Sequence, residues 1–329
     1  MKILITGGAG FLGDRLARAL LALENLPLAG AAPGPVEHVV LVDRVEPRAD
    51  LLADPRVTPV TGDVAQLLPG ILDGVELVFH LAAVVSSEAE RNFDLGMRVN
   101  LTTTMQLLEA CRRLPSPPRL VFASSLAVFG STPALPLPVV ITEDVLPTPQ
   151  SSYGIQKFIG EQLVADYARR GFIPARTVRL MTVTVRPGLP NAAASSFLSG
   201  IVREPLDGRP SNSPVGPETL VAVTSPARTV EGLLRAATAR DSEWGAHTAV
   251  TLPALTVSVG EIVDALTRVA GPDVSALVGW QPDPAIAAIV ESWPSRFEAA
   301  RARGLGLSAD ENFDTIIRAY LDDTVPKEA

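Results

Sequence analysis

"LITGGAGFLGDRLARAL", residues 4–20, runs from an apolar segment through a cluster of glycines into a helical pattern. Gly7, Gly10 and Gly13 fall at the spacing G-x-x-G-x-x-G, directly after a strand-like run. Glycine lets the chain turn tightly and lets its backbone approach a ligand closely. The first helical turn, here Phe11 and Leu12, offers unpaired N–H groups and the positive end of its dipole to a pyrophosphate. With a strand before it and a helix after it, the spacing predicts a dinucleotide-binding unit.

Outward from that loop, "KILIT" (2–6), "HVVLVD" (38–43), "VTPVTGD" (57–63), "LVFHLA" (77–82), "RLVFASS" (119–125) and "TVRLMTV" (177–183) read as buried strands. Residues 11–24, 94–113 and 151–170 read as helices between them. The alternation predicts an α/β fold, a Rossmann-type doubly wound parallel sheet of right-handed βαβ units. Strands apolar along their whole length are expected where helices cover both faces. Near residue 185 the chain turns rich in Gly, Pro, Ser and Asn, with a short helix predicted near 192–203. "TAVTLP" (248–253) is expected to return a strand to the sheet, and the rest is mostly helical. The predicted division is a dinucleotide-binding domain over 1–184, rejoined by 225–256. A smaller, mostly helical substrate lobe follows from 185–224 and 257–329.

The chain has 329 residues, 47% of them hydrophobic, enough for a large core. A net charge of −8 and a pI near 5.0, with no Lys/Arg run, argue against nucleic acid or anionic membrane as partners. No run of 18 residues is free of charges and breakers, so no membrane helix is expected. The single cysteine, Cys111, allows no intrachain disulfide. With an N-terminus that enters a strand at once, it points to the reducing cytoplasm. His38, His80 and His247 are scattered, and no metal site is expected.

Asp43 ends the second strand. A carboxylate there accepts two hydrogen bonds from a ribose diol and repels a 2′-phosphate, which predicts NAD over NADP although Arg44 follows. The long connection "LENLPLAGAAPGPVEH" before it reads as a surface insertion. Asp63 and Val64 end the third strand, where they can hold an adenine amino group; otherwise Asp63 is a turn residue. Leu81, Ala82 and Ala83 close the fourth strand in small residues suited to close approach of the cofactor. Asn100 interrupts a helix, which predicts a bond to backbone or water on the cofactor side, or simply a solvent-facing amide.

"SSYGIQK" (151–157) sets Tyr153 and Lys157 four apart at a helix start, on one face. An ammonium favours a neighbouring phenolate, which can take a proton from a substrate hydroxyl while hydride leaves the same carbon. Ile155, Ile159 and Leu163 are expected to pack this helix on the sheet. Ser124 and Ser125 end the fifth strand, and one hydroxyl there can bridge the substrate oxygen and Tyr153.

With these motifs in order, "TGGAGFLG", "VD", "GDV", "HLAA", "VN", "SSLAVFG" and "YGIQK", the first 185 residues resemble the extended short-chain dehydrogenases/reductases of the NAD-dependent epimerase/dehydratase family. The resemblance makes Ser125 the catalytic hydroxyl beside Tyr153 and Lys157. It places Lys157 on the nicotinamide ribose and the backbone near Leu180–Val183, Val183 included, at the carboxamide. It also implies a homodimer through the 94–113 and 151–170 helices. Dehydratases of the family carry an Asp-Glu pair where this chain has Leu126-Ala127, so elimination is not expected. Thr182 replaces the asparagine common in epimerases. The segment 179–208 is similar to the family's sugar-acid dehydrogenases, which oxidise D-erythronate at carbon 2. A small aldonate needs a carboxylate clamp, for which Arg179, Arg186, Arg203 and Arg228 are candidates. Thr182, Asn191, Ser195 and Ser196 can meet hydroxyls, and a helix starting near 192 would add N–H groups. A nucleotide-sugar epimerase and a non-catalytic NAD-sensing protein are the alternatives.

Overall fold

The computed structural model describes residues 1–188 and 194–324. Its strands are β1 Lys2–Thr6, β2 His38–Asp43, β3 Val57–Thr61, β4 Leu77–His80, β5 Arg119–Ser125, β6 Ala175–Leu180, β7 Thr182–Val183, β8 Ser211–Ser213, β9 Leu220–Thr224, β10 Val250–Thr251, β11 Leu255–Ser258 and β12 Val278–Trp280. Seven of them form one parallel sheet in the order β10-β6-β5-β4-β1-β2-β3. The order reverses at β1, which pairs with β2 on one side and β4 on the other. In open parallel sheets this reversal leaves a crevice beyond the strands' carboxyl ends.

Alternate residues of each strand feed two cores, one on each face. Ile3, Ile5, Leu41, Phe79 and Val121 meet Leu16 and Leu20 of helix Phe11–Leu21 and Leu233 of helix Pro226–Thr238. Leu4, Val40, Val78, Leu120 and Phe122 meet Leu107 and Leu108 of helix Thr103–Arg112 and Val164 of helix Ser152–Arg169. A third core gathers Leu198, Ile201, Val223, Val257, Ile262, Leu266 and Ile317. It sits around a three-stranded sheet, β11-β9-β7, of which the sequence reading assigned only the β7 residues, within 177–183, to a strand. The helix expected near 192–203 runs over Phe197–Leu206.

Three sequence expectations are corrected. β3 is not apolar throughout: Thr58, Pro59 and Thr61 are exposed, because β3 is the sheet edge, where a proline lacking its N–H is tolerated. The insertion before β2 is not purely superficial, since Leu26 and Val36 are buried in the first core. The stretch 94–113 is helical as expected, over Phe93–Arg112, with one wider π-helical segment, Met97–Thr102, between Phe93–Gly96 and Thr103–Arg112. Finally, Ile155 and Ile159 are 46% and 37% exposed. The face that helix Ser152–Arg169 buries carries Gly154, Gln156, Lys157, Gly160, Glu161 and Val164 instead. Gly160 lets the helix approach closely, as a β-carbon there would press on the Phe122 ring. Among the described residues no helix is long and apolar enough to cross a membrane.

His80, at the end of β4, is buried between the hydroxyls of Thr6 (2.7 Å from Nδ1) and Thr104 (3.0 Å from Nε2). Burial, with the nearby Lys157 charge, pushes its pKa down to about 3, so it stays neutral in the fold. The unfolded chain takes up a proton below about pH 6.5. Stability therefore falls as pH drops through that value, by roughly 1.4 kcal/mol per pH unit down to the folded pKa. Urea titrations between about pH 7 and pH 5.5 are expected to show the wild type losing roughly 1 kcal/mol more than His80→Gln.

Candidate active site

The crevice at the sheet reversal has a volume of about 560 Å³. The glycine loop forms its floor. Gly7, at φ 74°, packs against the backbone of Leu81 and Ala82, and a β-carbon there would strike Ala82. The Gly7 and Gly8 amides donate to the Val42 carbonyl at 2.8 and 3.1 Å, tying the loop to β2. Gly13 lies directly on Gly7 and Gly8, where a β-carbon would overlap the Gly7 carbonyl oxygen. The first turn of helix Phe11–Leu21 thus opens onto the crevice, and Gly7, Gly10, Phe11, Leu12 and Gly13 line it.

At the end of β2, Asp43 accepts the Ala9 amide at 3.1 Å and the Arg44 amide at 2.7 Å. It both lines the crevice and braces the loop, a second task that strand-end position alone did not reveal. Asp63 and Val64 line the crevice too, and Asp63 caps the turn Val64–Leu67 by accepting the Ala65 amide at 2.9 Å. Leu81, Ala82 and Ala83 form the wall after β4. Asn100 bonds backbone as expected, is buried rather than solvent-facing, and stands behind the residues that line the crevice. Its amide is spent on the Val84 N–H (2.8 Å), the Val84 carbonyl (3.1 Å) and Gln156 (2.8 Å). It holds the wall loop from behind.

Ser125, Tyr153 and Lys157 meet along one side. Ser125 Oγ accepts the Ala127 amide at 3.2 Å, leaving its proton for the Tyr153 oxygen. Lys157 Nζ donates to the Ala123 carbonyl at 2.8 Å and lies 5.8 Å from the Tyr153 ring centre. Burial pushes Lys157 down to about 8, partly offset by the Glu161 carboxylate. Burial pushes Tyr153 up to about 12, opposed by the Ser125 hydrogen bond and the Arg186 charge. Arg186 is thus a second cation near the phenol, one that the Tyr153–Lys157 spacing alone did not reveal.

The four candidate arginines separate cleanly. Arg179 is buried and forms a fork with Glu161 (2.9 and 2.7 Å), with Phe129 beneath its guanidinium. Arg203 is buried against Glu204 and donates to the Arg186 carbonyl at 2.7 Å. Arg228 pairs with Glu231 outside the crevice. These three are corrected as candidates; their charges serve the fold. Arg186 lines the crevice, steadied by the Val183 carbonyl (2.9 Å) and the Ser195 hydroxyl (3.2 Å). Thr182, Val183 and Ser195 line it as well. Ser196 shares the turn Ala194–Ser196 with Ser195 but does not line the crevice. Asn191, and the helix start expected near 192, lie outside the described residues. Trp293 closes the far wall; it comes from a distant part of the chain, and no local pattern marks it.

The chain belongs to the NAD dependent epimerase/dehydratase family, whose model matches residues 3–221. It is an NAD-dependent enzyme, and the glycine cradle with its facing helix N-terminus suits the cofactor's pyrophosphate. It is 48% identical over 326 residues to a D-erythronate dehydrogenase of Cupriavidus necator, covering 98% of each chain. It is 38% identical over 325 residues to one of Haemophilus influenzae, covering 98% of this chain and 99% of the other. The crystal structure of a nucleoside-diphosphate-sugar epimerase from Agrobacterium tumefaciens superposes with a TM-score of 0.90 at 38% identity, covering 100% of this chain and 95% of the other.

Adding one carbon where none fits costs roughly 1–3 kcal/mol. Gly13→Ala is therefore expected to weaken NAD binding on the order of tenfold or more in calorimetric titration. Gly34→Ala, where a β-carbon meets nothing, should leave it unchanged.

Proposed function

We propose that the protein oxidises a small sugar acid with NAD, D-erythronate at carbon 2 to 2-dehydro-D-erythronate. The observation that carries this reading is Arg186. It is the one candidate arginine that faces the crevice, beside Ser125, Tyr153 and Thr182. A guanidinium binds a carboxylate through two parallel hydrogen bonds. The relatives' names point the same way.

NAD supplies the hydride acceptor. Gly7, Gly10, Gly13, Phe11 and Leu12 would hold its pyrophosphate, and Asp43 its adenosine ribose. Asp63 and Val64 would meet the adenine, and Lys157 and Val183 the nicotinamide end. Arg186 would take the substrate carboxylate, with Thr182 and Ser195 on its hydroxyls. Ser125 would hold the carbon-2 oxygen while the Tyr153 phenolate takes its proton; the carbon-2 hydride leaves and a 2-keto acid forms. A phenol held near 12 becomes a better base as pH rises, so oxidation should quicken into the alkaline range.

NADH formation over a panel of four- to six-carbon aldonates tests the reading, with D-erythronate expected to be the best substrate. An epimerase of the same fold would build up no NADH. Tyr153→Phe should lose roughly 10²–10⁴-fold in rate with NAD affinity nearly intact. Arg186→Met should raise KM for the acid about ten- to a hundredfold and move the alkaline rise to higher pH; unchanged KM would refute the clamp.

The homodimer belongs to the same proposal. Met105, Ile155 and Ile159 are exposed on helices Thr103–Arg112 and Ser152–Arg169, an apolar face that a second copy would cover. Ile159→Asp is expected to shift sedimentation from dimer to monomer.

A further inference from the structure

We propose that Glu161 is a positioning residue for the Tyr153–Lys157 pair: its carboxylate is the counter-charge that keeps Lys157 protonated, and it pins the strand end that bears Ser125. The proposal deepens the reading above, in which Lys157 belongs to the catalytic set. Tyr153, Lys157 and Glu161 stand at i, i+4 and i+8 on one helix, Lys157 and Glu161 on its buried face and Tyr153 at the crevice. Lys157 and Glu161 are each 2% exposed. Glu161 spends both oxygens inward: Oε1 accepts the Ser124 hydroxyl at 2.6 Å and Arg179 Nε at 2.9 Å, and Oε2 accepts Arg179 Nη2 at 2.7 Å.

Ser124 stands between Ala123, whose carbonyl receives Lys157, and Ser125, the candidate catalytic hydroxyl. The same serine pairs in register with Arg179 of β6. One carboxylate thus joins the helix to both strands at the residue between the two functional contacts. Around the Lys157 ammonium are Tyr153 from its own helix, Phe122 and the Ala123 carbonyl from β5, and His80 from β4, while the Glu161 carboxylate, one turn further along the helix and bonded to Ser124 and Arg179, acts on it through space. Arg179 of β6 lies behind Glu161, and Arg186 beyond Tyr153. His80 is neutral, so Glu161 is the anion in this group. Two buried cations share it. Without it, both Lys157 and Arg179 would be uncompensated, and Lys157 would shed its proton at lower pH.

The bland alternative is that Glu161 and Arg179 are an ordinary buried ion pair. The two ideas part on which partner is removed. The sequence has three lysines, Lys2, Lys157 and Lys327, so protein labelled with ¹³C-lysine gives few signals, and Lys157→Arg identifies the one wanted. Titrating that signal needs neither substrate nor turnover, so its outcome stands apart from whether any aldonate is oxidised. Glu161→Gln is expected to lower the Lys157 midpoint by roughly one pH unit or more, and Arg179→Gln to leave it in place or raise it. An unmoved midpoint in Glu161→Gln, or an equal fall in both variants, would overturn the proposal. Should Glu161→Gln fail to fold, the double variant Glu161→Gln/Arg179→Gln leaves no unpaired ion of that pair. Its midpoint must then lie below that of Arg179→Gln alone; equality would overturn the proposal.

Discussion

Everything in the crevice is referenced to one backbone contact, the stacking of Gly13 on Gly7 with no space for a β-carbon between them. It sets how near the first helix comes to β1, and so where its free amides open. Gly7 in turn presses on Ala82, which fixes the distance between the β1 and β4 ends. The Ala82 amide reaches back to the Thr6 hydroxyl at 3.3 Å, and Thr6 leans on His80. The reversal of the sheet, the glycine loop and the buried polar relay beneath it are one mechanical unit.

Helix Ser152–Arg169 solves a different problem. A helix that packs on a sheet normally turns apolar residues inward. This one turns in an amide, an ammonium and a carboxylate, and leaves two isoleucines in solvent. The cost of burying charge is met by the Ala123 carbonyl, Ser124 and the Arg179 fork. The apolar residues are thereby free for a surface role, and the polar ones are placed where chemistry can use them.

The sheet strands and the glycine loop were legible in sequence because their signals are local: apolar runs of strand length, and glycines at fixed offsets between strand and helix. The Tyr153 and Lys157 positions were legible for the same reason. Which arginine faces the crevice was not, since Arg179, Arg186, Arg203 and Arg228 look alike until their partners are known. Glu161, from a neighbouring helix, takes up Arg179, and Glu204 and Glu231, on the same helices as Arg203 and Arg228, take up those two. Ile155 and Ile159 misled because apolar spacing groups residues on one side of a helix without telling whether that side meets the sheet. Asn100 was half legible: its break in the helix was visible, its grip on Val84 was not.

The two margins of the large sheet carry a consequence of their own. β3 ends it on one side with exposed threonines and a proline that has no hydrogen to donate. β10 ends it on the other with only two residues. Neither offers a neighbouring molecule a ladder long enough to join. Growth by strand addition, the ordinary route from a parallel sheet to an aggregate, is disfavoured at both flanks of this sheet.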